Sequence, residues 1–159
     1  MRDFVLNALR ENARVSAEKI AELGGFDVAA VEDIIRTLEE ERTIRGYTAI
    51  CDDSADDGKV KAVIEVKVSP NRDGGFDQVA QRIAKYPEVS DLFLISGSFD
   101  LLITINGKSL KEVANFVASK LATIDGVLST STGFMLKKYK ESGRIMEDFE
   151  DYERLKVTP

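Results

Sequence analysis

The chain has 159 residues, 43% of them hydrophobic and 31% charged, which excludes a disordered polypeptide and leaves room for one domain or two small ones. A formal net charge of -6 argues against a whole surface built to bind phosphates, and the lack of histidine removes the commonest general base, every Ser-His or Cys-His nucleophile pair and a Cys/His metal site. No apolar run approaches the ~18 residues of a membrane span and Met1-Arg2-Asp3-Phe4 leads into no signal-peptide core, so the chain reads as cytoplasmic.

Helical periodicity comes first. Phe4, Val5, Ala8 and Leu9 fall at i, i+1, i+4 and i+5, on one face of a helix ending near Asn12. Ser16 offers a side-chain oxygen to the start of a second helix carrying Ile20 and Leu23, and Gly24-Gly25 closes it. Asp27 is placed to cap a third helix, with Val28, Val31, Ile35 and Leu38 as its core stripe. The β-branched and aromatic run from Thr43 to Ile50 predicts a strand. Together these predict a winged helix-turn-helix over residues 1–51. Cys51, the lone cysteine, reads as a small buried residue that can form no intrachain disulfide. Asp52-Asp53-Ser54-Ala55-Asp56-Asp57-Gly58 has little to bury and repels itself; residues 52–59 read as a linker, with an acidic metal loop as the alternative.

From residue 60 the pattern alternates between period 2 and period 3.6. Ala62, Ile64, Val66 and Val68 share one face of a strand, with Lys61, Glu65 and Lys67 on the other. Phe76, Val79, Ala80, Ile83 and Ala84 mark a helix that stops before Pro87. Leu92–Ile95 and Leu101–Ile105 predict a hairpin turning at Gly97-Ser98-Phe99-Asp100. Leu110, Val113, Ala114, Val117, Leu121 and Ile124 predict a second helix, and Val127 to Lys138 a last strand.

The order β-α-β-β-α-β over residues 60–140 is the ferredoxin-like plan, giving an α+β protein with an N-terminal winged helix-turn-helix. Helices on one face leave Val63, Phe93 and Ile103 on the other, and an open apolar sheet face marks an interface, so two sheets are expected to pack face to face in a homodimer. Residues 141–159 are charged but keep Ile145, Met146, Phe149, Tyr152 and Leu155 at spacings suggesting a short docked helix, with a frayed tail as the alternative.

Four stretches in order carry a family resemblance. Asn12-Ala13-Arg14-Val15-Ser16 resembles the "NARIS" segment of the Lrp/AsnC (leucine-responsive/asparagine) regulators, and Leu38-Glu39 with Ile44-Arg45-Gly46-Tyr47-Thr48-Ala49 resembles their "LE…IxGYxA". Gly97-Ser98-Phe99-Asp100 resembles "GxYD", and Ile124-Asp125-Gly126-Val127 followed by Ser129-Thr130-Ser131-Thr132 resembles "xxGVxxTxT". The resemblance spans nearly the whole chain. It implies a transcription regulator that reads double-stranded operator DNA with its third helix, senses a small molecule, usually an amino acid, and assembles as dimers that join into a homo-octamer. No cofactor is implied.

The same resemblance carries residue roles. For DNA it points to Arg14, Lys19, Arg36, Arg42 and Arg45, with Ala29, Ala30, Glu32 and Asp33 on the third helix. The family commonly has a basic pair where this chain has Asp33 and Ile34, and residues 1 to 50 hold seven cations against ten acids, so the head is acidic for a phosphate ligand. For the effector it points to Leu94, Gly97, Ser98, Phe99, Asp100, Leu110, Phe134, Met135 and Leu136. Backbone N–H groups at the glycine turn suit a carboxylate, and Asp100 suits an ammonium. Phe99 replaces the motif's tyrosine and removes a hydroxyl. Two other readings compete: a sensor of this fold that no longer reads DNA, and an enzyme similar to the sirohaem decarboxylases, for which the resemblance implies an active-site histidine that this chain lacks.

Overall fold

The computed structural model describes residues 1–52, 58–69 and 75–146, and the chain divides into two compact units, Met1–Ile50 and Cys51–Pro159. In the first unit, helices α1 (Arg2–Glu11), α2 (Ala17–Gly24) and α3 (Val28–Glu40) pack around buried Val5, Leu9, Ile20, Ala21, Val31 and Leu38. Both helix starts are capped by side chains. Ser16 Oγ accepts from the Lys19 N–H at 3.2 Å and Asp27 Oδ1 from the Ala30 N–H at 3.1 Å, satisfying donors that have no partner within their own helix. Between α2 and α3, Gly25 takes φ +65, and a Cβ on Gly24 would fall 2.2 Å from the Phe26 ring, so that tight turn needs both glycines. Phe26 in turn meets Phe4 edge-on, ring centroids 5.5 Å apart.

The strand expected over residues 43 to 50 is not formed. Ile44 packs on the helical core, and Tyr47 Oη donates to Glu39 Oε1 at 2.8 Å. Strand propensity is realised only against a second strand that accepts the ladder, and this segment has none among the described residues.

The second unit is a four-stranded antiparallel sheet in the order β2-β3-β1-β4, built from β1 (Val60–Val68), β2 (Val89–Leu94), β3 (Leu101–Gly107) and β4 (Val127–Phe134). Helices α4 (Asp77–Ile83) and α5 (Leu110–Phe116) follow β1 and β3, and α5 runs on through a π-helical turn, Val117–Leu121. The core lies between sheet and helices: Ala62, Ile64, Val66, Val68, Leu101, Ile103 and Ile105 from the strands meet Val79, Ile83, Val113, Phe116 and Leu121. At ~25 cal/mol per Å² of apolar surface, this layer is the main stabilising term of the unit.

The register corrects one face assignment. Ile103 is fully buried and stands opposite Ile64 and Leu92, so it faces the helices; β3 alternates from Leu101, and Leu102 is the residue sharing the open face with Phe93 and Val63. Cys51 is exposed rather than buried. The last strand ends at Phe134, short of Lys138, and the extension from residue 141, expected to form a short helix, opens instead in a small hairpin of β5 (Lys140–Glu141) and β6 (Arg144–Ile145). Ser142 and Gly143 turn it with φ 45 and 84, the left-handed pair of a tight hairpin turn. Phe149, Tyr152 and Leu155, like most of the acidic run (residues 53–57), lie outside the described residues. No helix among the described residues is long and apolar enough to cross a membrane.

Candidate functional site

The turn Gly97-Ser98-Phe99-Asp100 joins β2 to β3 and is held by three hydrogen bonds. Ile95 N–H donates to the Asp100 carbonyl (2.8 Å), Asp100 N–H to the Val66 carbonyl (3.0 Å), and Val68 N–H to Asp100 Oδ2 (2.8 Å). The last of these lies on the β3 side of β1, two residues past Val66, where β3 has given way to the turn, so Asp100 takes up a donor beyond the end of the β1–β3 ladder. Asp100 therefore has a structural duty in addition to any ligand it meets. Its carboxylate retains capacity for further donors. Gly97 and Ser98 are exposed, and a Cβ on Gly97 would meet only Ile95, at 3.8 Å. Glycine is thus not required there by packing within the chain.

Leu94, at the end of β2, is 62% exposed and borders a shallow cavity of about 220 Å³ against α4, lined by Phe76, Ala80, Leu92 and Leu101 among others. The sequence reading missed this apolar recess, because Phe76, Ala80 and Leu92 sit on core-type stripes and only the register shows that β2 is an edge strand.

The remaining effector candidates lie elsewhere. Phe134 stands opposite Ala62, in the row that continues through Ile105 to Val89, whereas Leu94 belongs to the row Leu101-Val66-Thr130. Those rows are four residues apart on β1, about 13 Å at ~3.3 Å per residue, and β2 and β4 are opposite edges of the sheet. Phe134, Met135, Leu136 and Leu110 are all exposed, Leu136 almost completely (95%). One chain therefore keeps Leu94 and the Gly97–Asp100 turn apart from Phe134, Met135 and Leu136 at the end of β4.

In the head, Arg14, Lys19, Arg36, Arg42 and Arg45 are exposed, as are Ala29, Glu32 and Asp33, while Ala30 is half-buried. Lys19 Nζ pairs with Glu22 at 2.8 Å and Arg36 Nη2 with Asp33 at 2.6 Å. Such exposed pairs contribute little stability, so both cations are available at small cost. Arg42 takes a left-handed φ of 58 just after α3. Elsewhere, Glu88 receives the Lys120 ammonium, which also lies over the Tyr86 and Phe116 rings; that hydrogen bond, with one from its own backbone N–H, holds the Glu88 carboxyl below its ordinary value.

Residues 61–145 match the Lrp/AsnC ligand binding domain. Over 157 residues, 98% of this chain and 95% of the relative, the sequence is 45% identical to the uncharacterized HTH-type transcriptional regulator YugG of Bacillus subtilis. The chain belongs to the Lrp/AsnC family of transcriptional regulators. Among solved structures, this Lrp/AsnC protein resembles a Neisseria meningitidis transcriptional regulator in complex with L-methionine (TM-score 0.71, 24% identity, 88% of this chain and 90% of that one). It also resembles a feast or famine regulatory protein from M. tuberculosis complexed with L-methionine (TM-score 0.72, 18% identity, 91% and 96%). At those identities the structures establish the fold, which agrees with the α+β reading, helix-turn-helix head and ferredoxin-like sheet included. The family relatives are named as regulators rather than enzymes.

Proposed function

We propose that this Lrp/AsnC regulator is a cytoplasmic protein that binds operator DNA through α2 and α3, residues 1–51 forming its DNA-binding domain. We assign effector sensing and assembly to residues 60–140, linked to the head by 52–59, with 141–159 as an extension. The effector is an amino acid with an apolar side chain, held where copies of the sensing domain meet. One observation carries this reading: two exposed apolar groups that a single sheet keeps apart. A second copy can join the turn of one chain to Phe134, Met135 and Leu136 of another, and the open space at Gly97 leaves room beside the turn. Assembly follows from the same geometry, since a residue group on each copy completes the other's site, giving a dimer or a closed ring of dimers. The two related folds that hold L-methionine support an apolar amino acid.

Thermal-shift titration with the twenty amino acids tests the sensor. A ligand that binds only the folded form raises stability as RT ln(1 + [L]/Kd), about 2.7 kcal/mol at a hundredfold excess over Kd. L-methionine and leucine-like side chains are expected to give the largest shifts, and Asp100→Ala to remove them. Equal shifts in wild type and Asp100→Ala would take Asp100 out of the site. A second reading, a sensor whose head no longer reads DNA specifically, is favoured by one feature, the four acids and single base of α3. Gel-shift titration at low salt with the upstream region of its own gene separates the two, because only the first gives a sequence-preferring complex.

A further inference from the structure

The single cation of α3 is already engaged. Between Val28 and Glu40 the helix carries Arg36 and four acids, Glu32, Asp33, Glu39 and Glu40. Val31 and Leu38 define the buried side of the helix, which leaves Ala29, Asp33 and Arg36, at i, i+4 and i+7, as an outward stripe. On that stripe Arg36 Nη2 donates to Asp33 Oδ1 at 2.6 Å, with the two side chains 65% and 66% exposed. The Asp33 carbonyl also accepts from Thr37 Oγ1 at 2.8 Å.

A guanidinium has five N–H donors in a planar fork, so a carboxylate on one terminal nitrogen leaves others for a base edge while restricting the rotation of the group. Guanine presents O6 and N7 side by side in the major groove, a pair that arginine meets with two parallel donors of a preorganised planar fork and lysine only with a flexible ammonium. The carboxylate has a complementary effect. It repels phosphate oxygens, so the pair gains little from bare backbone, and its second oxygen can accept from a cytosine amino group.

We infer that Asp33 and Arg36 act as one base-reading unit, in which Arg36 donates to a guanine in the major groove and Asp33 is the positioning residue that orients it and opposes non-specific phosphate binding. The inference rests on the first reading above, that α3 enters DNA. It gives the acidic helix a use: fewer phosphate contacts, with more of the discrimination placed on one base pair.

The test uses the full chain to enrich duplexes from a random-sequence library at fixed low salt. Affinities are then measured for the enriched duplex, for versions in which each guanine is replaced by adenine, and for an unrelated duplex. Wild type, Arg36→Lys, Arg36→Ala and Asp33→Ala are compared, with circular dichroism confirming equal helix content. The expected result is a guanine whose discrimination falls roughly ten- to a hundredfold in both Arg36 variants. Asp33→Ala is expected to bind unrelated DNA several-fold tighter while discriminating less; a residue with only a structural role would lower both affinities together. If Arg36→Ala discriminates every position as wild type does, the base-reading unit is overturned and the regulator stands. If wild type enriches no sequence, both fall.

Discussion

The head and the sensing unit bury their apolar groups in different ways, and their surfaces differ accordingly. In the head, six buried residues from three helices suffice, the helix starts are tied by their own side chains, and outward cations such as Lys19 and Arg36 pair with neighbouring acids. The sensing unit has the larger core, thirteen buried residues among those described, yet leaves Phe93, Leu94, Leu128, Phe134 and Leu136 in solvent. The head exposes large apolar groups as well, Phe4, Leu23 and Tyr47 among them, whereas in the sensing unit they gather on the edge strands β2 and β4 and the residues after β4, and such a gathering marks an interaction surface. The difference fits the proposed roles, DNA contact for the first unit and self-association for the second.

The contrast can be attacked at four points. The largest effect is expected from Ile64→Ala, which opens a cavity in the centre of the sheet and should cost about 2–5 kcal/mol, read as a lowered denaturation midpoint of the sensing unit. The head's own midpoint should persist in that variant, since Ile64 belongs to the core cluster of the sensing unit. Ser16→Ala should cost about 1 kcal/mol and be confined to the head, visible as faster amide exchange at the start of α2. Lys120→Met should cost under about 1 kcal/mol at neutral pH, because the pair it breaks is partly exposed. That loss has a definite pH dependence. The Glu88 carboxyl is held below its unfolded value near 4.3, so its stabilisation is complete above that pH and disappears as pH falls through the lowered value; wild type and variant should converge in acid urea titrations. Leu136→Asp should change chain stability least, within about 0.5 kcal/mol, while lowering the sedimenting mass. If Leu136→Asp leaves the mass unchanged, the apolar group beyond β4 is not an assembly surface.

The sequence made the elements legible wherever local chemistry determines them. Ser16, Asp27 and Gly25 mark helix boundaries by satisfying or releasing backbone groups, and alternation of Ala62, Ile64, Val66 and Val68 fixes which side of β1 is buried. Pairing was harder to read. Ile103 and Phe93 are both apolar strand residues, and only the β2–β3 register, which sets Phe93 against Leu102, decides their faces. The run from Thr43 to Ile50 has strand composition without a partner strand among the described residues, and residues 140 to 145 turn at Ser142-Gly143 before a helix can begin. For the candidate site, the motif marks the turn, but the separation of Leu94 from Phe134 by sheet order has no local signal, and neither does the Asp33–Arg36 bond beyond its helical spacing.

The bond from Val68 to Asp100 links ligand chemistry to the isotope-exchange behaviour of a single amide. Val68 N–H has the Asp100 carboxylate as its acceptor just beyond the end of the β1–β3 ladder. An ammonium group that draws Asp100 toward itself loosens this amide, while one that shares the carboxylate without moving it keeps the amide protected. For the effector proposed above, the deuterium uptake of Val68 therefore distinguishes, from within the sheet, a ligand that takes Asp100 from the fold, one that binds alongside it, and one that does not meet it.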